Sequence, residues 1–151
     1  MTERVSDAEW LAEAIALSWR CPPSQSAFSV GALIVDPAGS VLAQGWSRPA
    51  DPHDHAEEAA ILSLGEGWTA PPGSTLYSSM EPCSTRASRP RSCAELILAA
   101  GIDRVVFAWR EPTLFVDGRG SELLAAAGVV VVELSSLAAA ARASNQHLFA
   151  R

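Results

Sequence analysis

The sequence predicts an α/β fold, a three-layer α/β/α sandwich around a mixed five-stranded sheet. Three observations predict it: an amphipathic helix at the start, a pair of apolar runs joined by a turn, and a later alternation of strand-like and helix-like segments. The pair of apolar runs is typical of an antiparallel hairpin. Strands that alternate with helices form parallel sheets covered on both faces, so we expect parallel strands after the hairpin.

The first helix has a start signal, an apolar side and a stop. Ser6 and Glu9 have the spacing of a capping box, and Leu11, Ile15 and Trp19 then recur at four-residue intervals. The helix is expected to run to about residue 20, where two consecutive prolines stop it, and to bury its apolar side in the core.

The expected hairpin follows this helix. Val30 to Val35 and Val41 to Trp46 are apolar, and the intervening Asp36-Pro37-Ala38-Gly39 has the composition of a turn. These two runs are the first and second strands of the predicted sheet.

The rest of the chain alternates between helix and strand. The helical segments are rich in Ala, Glu and Leu, and three of them are followed by a glycine, which suits the residue after a helix end. In chain order we expect helix His55 to Leu64, strand Thr75 to Met80, helix Cys93 to Ala100, strand Arg104 to Trp109, helix Gly120 to Ala127, strand Val129 to Val132 and helix Ser135 to Phe149.

Length and composition limit the possible functions. A chain of 151 residues with 48% hydrophobic and 19% charged residues is typical of one globular domain, so 1–151 is expected to be a single domain. The net charge of −6 and the lack of Lys or Arg runs argue against nucleic-acid binding and favour a small-molecule substrate. No apolar stretch is long enough for a membrane span. The three cysteines, with no export signal before them, indicate reduced thiols and a cytoplasmic location.

Three residues of the chain have the side chains and the placement of zinc ligands. His55, Cys83 and Cys93 each lie where a strand or loop enters an expected helix. At such positions, unpaired N–H groups and the positive end of the helix dipole stabilise thiolates. Two thiolates and one imidazole leave the fourth tetrahedral position to water, which is the arrangement of a catalytic zinc. We therefore expect one Zn²⁺ per subunit.

Glu57 is the expected acid–base residue of this site. A carboxylate beside the activated water can accept a proton, carry it to a ring nitrogen and then protonate a departing amine. Residues two positions apart on an ideal helix point about 200° apart. His55 and Glu57 can therefore share a site only if His55 lies at the mouth of the helix.

A resemblance to a known family adds to this interpretation. The pattern His55-Ala56-Glu57, then Pro82-Cys83, then Cys93 resembles the signature of zinc nucleobase deaminases, so the chain is identified as a member of the cytidine deaminase-like superfamily. Within it, the chain is most similar to the deaminase domain of the bifunctional riboflavin-biosynthesis deaminase/reductase, from about Trp10 to Phe149. The similar stretches are Met80 to Ser84, the nine-residue spacing of the two cysteines, Arg110 to Pro112 with Val116 to Gly120, and Ala143 to Gln146.

This resemblance implies a substrate class and a set of contacts. It implies hydrolytic deamination of a small aminopyrimidine-type heterocycle, with the diaminopyrimidine ribosylamino phosphate intermediate of riboflavin biosynthesis as the leading candidate. It also implies a homodimer or homotetramer, and it places Ala27, Phe28, Pro82, Arg86 and Arg89 at the substrate. The family usually has Asn where this chain has Ala27, so we expect ring recognition to differ. Phe28 can stack on a ring, and Arg86 or Arg89 can meet a phosphate.

Other functions stay open at this point. The chain could deaminate another nucleoside, nucleotide or aminopurine, as a resistance or specialised enzyme does. It could act on a base in tRNA or single-stranded DNA, although its negative charge disfavours this. It could also be a zinc-binding module without turnover, although a purely structural zinc has no need of Glu57.

Overall fold

The computed structural model of the chain describes residues 5–83, 91–110 and 120–149. Within these ranges the helices are α1 (Asp7–Leu17), α2 (Ala56–Leu62), α3 (Cys93–Ala99), α4 (Gly120–Ala126) and α5 (Ala138–Ala143). The strands are β1 (Gly31–Val35), β2 (Val41–Trp46), β3 (Thr75–Met80), β4 (Arg104–Trp109) and β5 (Val130–Glu133). No helix in the described part of the chain has both the length and the apolar character that crossing a bilayer requires.

The five strands form one mixed sheet with the order β2-β1-β3-β4-β5. Strand β1 pairs antiparallel with β2, its hairpin partner, and also antiparallel with β3. Strands β3, β4 and β5 then run parallel to one another. The predicted fold class, with an antiparallel hairpin followed by parallel strands, is confirmed.

Helices cover both faces of this sheet. One face packs residues of β1, β3 and β4 against α2, α3 and α4, around Leu76, Ile97 and Leu124. The opposite face packs the same strands against α1 and α5, around Leu11 and Val106. Because successive strand residues point to opposite faces, every central strand supplies both cores, which explains why these strands are apolar throughout.

A close approach of helix α2 to strand β2 sets where that helix begins. A Cβ added at Gly45 would lie 2.2 Å from the carbonyl oxygen of Ala56 and 2.6 Å from the backbone nitrogen of Ala60. Real Cβ atoms do not approach other atoms so closely, so only glycine fits here. The first turn of α2, with His55 in front of it, is therefore held directly against the sheet.

Helix α1 begins at the predicted capping box, but the prediction that Trp19 lies on its buried side is wrong. Ser6 accepts a hydrogen bond from the backbone of Glu9, and the reciprocal bond of the capping box is present. Leu11 and Ile15 are buried, whereas Trp19 is 64% exposed. The chain switches to a tighter 3₁₀ turn at Ser18–Arg20, so four-residue spacing no longer keeps Trp19 on the buried side.

The last predicted helix is interrupted. Instead of one helix over Ser135 to Phe149, the structure has a 3₁₀ turn, then α5, then a second 3₁₀ turn at Gln146–Leu148. Two side chains after α5 bond elsewhere: Ser144 Oγ lies 2.8 Å from Ser18 Oγ, and the amide of Asn145 bonds to the backbone of Ser29. These tertiary contacts override the helix propensity of the alanine-rich sequence.

A half-buried ion pair joins helix α1 to the sheet. Arg104 donates two hydrogen bonds to the carboxylate of Asp7, at 2.8 and 2.5 Å, and Tyr77 donates a third at 2.6 Å. The hydrogen bond from Arg104 holds the pKa of Asp7 below its usual value. Burial, together with the bond to Asp7, raises the pKa of Tyr77 to about 12.

Candidate active site

The three predicted zinc ligands lie at the ends of secondary-structure elements on the same side of the sheet. His55 is the residue just before α2 and has an extended backbone, with φ −93° and ψ 157°. Cys83 follows the end of β3 by three residues, and Cys93 is the first residue of α3. The sheet brings these ends together, although the two cysteines are far from His55 in sequence.

The donor atoms of these residues are close enough to hold one ion. The three ligand atoms lie within 4.8 Å of one another. The Nδ1 atom of His55 is 3.3 Å from the Sγ of Cys93 and 3.7 Å from the Sγ of Cys83. With Zn–N near 2.05 Å and Zn–S near 2.3 Å, tetrahedral geometry requires nitrogen-to-sulfur separations of about 3.6 Å. One imidazole and two sulfurs in this arrangement fit zinc.

The surroundings of Cys83 favour its thiolate form. A side-chain hydrogen bond from Cys93 is the largest influence, a second comes from His55, and the backbone N–H of Cys93 donates to Cys83 Sγ at 3.3 Å. Together these bonds lower the pKa of the Cys83 thiol to about 4, although burial opposes the shift. Zinc binds the thiolate, and with this lowered pKa Cys83 is already deprotonated near neutral pH.

Glu57 lies in the first turn of α2 and is only 4% exposed. Its Oε1 accepts a hydrogen bond of 2.6 Å from the hydroxyl of Ser78 on β3. His55 stands in front of the helix with an extended backbone, which is the condition required for these two residues to face one site. Glu58 stabilises that entry, because its carboxylate accepts the backbone N–H of His55 at 3.3 Å.

A second buried carboxylate supports the loop that carries Cys83. Glu81 is 3% exposed, and its Oε2 accepts hydrogen bonds from both the backbone and the hydroxyl of Ser121. A Cβ on Gly120 would lie 1.6 Å from the carbonyl oxygen of Pro82, so the start of α4 rests directly on this loop. Glu81 lies in the stretch Met80 to Ser84 that carries the resemblance, but the sequence did not predict a role for it.

The predicted substrate-contact residues are placed as follows. Phe28 is half-buried beside the site: it packs on a small cluster that includes Ala56 and Met80. Its ring lies 5.5 Å from that of Trp109, edge to face, and 6.3 Å from that of Phe149. Ala27 precedes it and is half-buried, and Pro82 is fully buried. Arg86 and Arg89 lie outside the described residues. All five contacts with substrate stay predictions.

Two side chains with no role predicted from the sequence hold the Phe28 segment. Asn145 is 1% exposed; it accepts the N–H of Ser29 at 2.6 Å and donates to the carbonyl of Ser29 at 3.0 Å. Arg48 donates to the carbonyl of Phe28 and to the hydroxyl of Ser29, both at 2.9 Å. The local sequence around Arg48 and Asn145 has no signal for these contacts, which join segments distant along the chain.

The chain matches the family model described as the cytidine and deoxycytidylate deaminase zinc-binding region over residues 4–109, which is more than half of its length. The chain belongs to this deaminase family. A curated relative, the diaminohydroxyphosphoribosylamino-pyrimidine deaminase of Schizosaccharomyces pombe, is 40% identical over 127 residues. That match covers 83% of this chain but only 31% of the relative, so the chain spans about a third of that protein.

Solved structures of other family members agree with this fold. RibD from Acinetobacter baumannii has a TM-score of 0.77 and 31% identity, and the match covers 95% of this chain and 39% of that one. A diaminohydroxyphosphoribosylaminopyrimidine deaminase/5-amino-6-(5-phosphoribosylamino)uracil reductase from Thermotoga maritima has a TM-score of 0.75 and 29% identity, with coverage of 95% and 40%. The family is defined by its zinc-binding region, and the cluster of His55, Cys83 and Cys93 can hold one zinc ion.

Proposed function

We propose that this chain is a zinc-dependent hydrolytic deaminase domain for a small aminopyrimidine, and that its substrate is the diaminopyrimidine ribosylamino phosphate intermediate of riboflavin biosynthesis. The observation that carries the proposal is the convergence of His55, Cys83 and Cys93 within 4.8 Å, with the buried carboxylate of Glu57 in the adjacent helical turn. The substrate is supported by the names of the relatives from Schizosaccharomyces pombe and Thermotoga maritima.

The chemistry follows from this donor set. His55, Cys83 and Cys93 would hold the ion, which supplies a water made acidic enough to lose a proton near neutral pH. Glu57 accepts that proton at its carboxylate and delivers it to a ring nitrogen as water adds to the carbon that bears the amine. Glu57 then takes the proton of the newly added hydroxyl group and gives it to the amine nitrogen, so that the carbonyl forms, the carbon–nitrogen bond breaks and ammonia leaves. Burial of Glu57 excludes bulk water from these transfers.

The proposal extends to the substrate contacts and to the state of the whole protein. We infer that Phe28 faces the ring, that Ala27 and Pro82 border it, and that Arg86 or Arg89 meets the phosphate. Residues 1–151 form one domain, and the protein is a cytoplasmic homodimer or homotetramer. Cys83 and Cys93 must be thiolates to hold the metal, which fits a reducing compartment. Light scattering after size-exclusion chromatography tests the oligomeric state, and a monomer at micromolar concentration would contradict it.

The central test is Glu57→Gln, which keeps the size of the side chain and removes its proton chemistry. We expect zinc content to stay at one ion per chain while ammonia release falls by about 10²–10⁴-fold. Zinc is measured by elemental analysis and ammonia by a coupled assay. Glu13→Gln, at an exposed carboxylate of α1, is the matched control and should keep wild-type turnover. Turnover retained in Glu57→Gln would remove Glu57 from the mechanism.

A substrate panel separates the proposed substrate from the alternatives. The panel contains the riboflavin intermediate with and without its phosphate, cytidine, deoxycytidylate, aminopurines and a single-stranded oligonucleotide. We expect the phosphorylated pyrimidine to have the highest kcat/KM. A preference for another nucleoside or base would keep the deaminase chemistry and overturn the substrate. Release of ammonia from none of them by zinc-loaded protein would favour the non-catalytic module.

A further inference from the structure

We infer that Ser78 is the positioning residue for Glu57: its hydroxyl fixes the Oε1 atom of that carboxylate and leaves Oε2 as the oxygen that carries the proton. The inference rests on the proposed function, since it assigns a role within the same reaction. The contact that supports it is a hydrogen bond of 2.6 Å between two buried side chains on different elements, Ser78 on β3 and Glu57 on α2.

The position of Ser78 in its strand makes this contact specific. Ser78 is 0% exposed, on the same side of β3 as Leu76, which packs in the core under α2. The next residue, Ser79, is also buried, but its hydroxyl accepts the backbone N–H of Gly31 at 3.1 Å. One strand therefore carries two adjacent buried hydroxyls, and only the one on the α2 side bonds to Glu57.

The hydroxyl of Ser78 has two acceptors in reach and one proton to give. Its Oγ lies 2.6 Å from Glu57 Oε1 and 2.7 Å from the carbonyl oxygen of Met80. A carboxylate is the stronger acceptor because the hydrogen bond is charge-assisted, so the hydroxyl donates to Glu57 while that group is ionised. When Oε2 carries the proton, Oε1 is still an acceptor, so the same hydroxyl can keep donating to it. Ser78 can thus hold the side chain before and after the transfer.

The kinetic test compares Ser78→Ala with Ser79→Ala, which deletes the adjacent buried hydroxyl. We expect Ser78→Ala to lower kcat about 10–100-fold, with KM within about twofold of wild type and zinc content unchanged, since a misplaced proton carrier slows chemistry rather than binding. Ser79→Ala should keep kcat within about twofold. Equal losses in both variants, or an undiminished kcat in Ser78→Ala, would overturn the inference. If Ser78→Ala does not fold, Ser78→Cys, with a weak donor of similar size, is judged by the same criterion.

A stability cycle tests the contact without using activity. Ser78→Ala and Glu57→Ala are made singly and together, and the unfolding equilibrium constants are compared in urea. A hydrogen bond to a charged group should make the two changes non-additive by about tenfold or more, whereas Ser79→Ala should be additive with Glu57→Ala. Additivity of Ser78→Ala with Glu57→Ala would overturn the contact. Wild-type protein that releases no ammonia from any substrate would instead overturn the proposed function, and this cycle would still report on the contact.

Discussion

The side-chain amide of Asn145 should contribute strongly to stability, although it lies outside every regular helix. It is 1% exposed and pairs with both the N–H and the carbonyl of Ser29, which is itself 7% exposed. Asn145→Ala would remove the partner of each of these backbone groups. A buried backbone group without a partner costs about 1–3 kcal/mol, and water entering the space recovers part of this, so we expect a loss of about 2–4 kcal/mol for the pair.

Thermal unfolding measures this loss. For a domain of this size, about 2–4 kcal/mol lowers Tm by about 5–15 °C. Asn145→Asp keeps the acceptor for the N–H of Ser29 but loses the donor to its carbonyl, so its Tm should fall as well. Gln146→Ala, at the exposed next residue, is the control and should have the same Tm as wild type. A Tm for Asn145→Ala within about 1 °C of wild type would refute this reasoning.

Two further predictions concern the ion pair and the loop before Cys83. The pKa of Asp7 is lowered in the folded state, so its contribution to stability is complete above the unfolded pKa of about 3.9 and is lost as the pH falls through the folded pKa. Asp7→Asn should therefore flatten the loss of stability in acid, as followed by urea unfolding at several pH values; an unchanged acid dependence would count against the ion pair. Gly120→Ala would place its Cβ 1.6 Å from the carbonyl oxygen of Pro82, so we expect a lower Tm and weaker zinc retention in a chelator competition. If Gly120→Ala had the Tm and the zinc retention of wild type, the loop before Cys83 would be able to move away from the added Cβ at no cost, which would contradict this prediction.

The sequence predicted the strands well because their signals are local. Strands β2, β3 and β4 begin and end where the apolar runs do, and β1 and β5 begin one residue later than expected. Strand β3 illustrates why: all six of its residues are buried, so side-chain composition and burial agree along the whole run. The continuous final helix was wrong because its outcome depended on partners that are remote in sequence.

The metal-binding part of the site was also predictable, for a related reason. Two of the three ligands lie at a helix start, and the helix starts after His55 and at Cys93 could be read from nearby residues, whereas Cys83 follows strand β3 rather than entering a helix as expected. Glu58 illustrates this locality: it stabilises the helix entry from three residues after His55. The supports that could not be predicted, Ser78 and Asn145, act across 21 and 116 positions of the chain, and nothing in the sequence next to them distinguishes them from other buried polar residues.

The zinc ligands and the segment with Phe28 are held in place by different parts of the chain. His55 and Cys93 are oriented by the helices that follow them, whereas the segment with Phe28 is held by Arg48 and Asn145 from other parts of the chain. Under the proposed function, in which Phe28 faces the ring, a substitution in this segment would change which ring fits without moving the zinc ligands. Ala27 lies in that segment, at the position where the resemblance implies Asn, so an altered ring preference would be compatible with an intact metal site. Ala27→Asn should accordingly shift relative kcat/KM values across the substrate panel while zinc content stays the same, and an identical ranking of substrates would refute this separation.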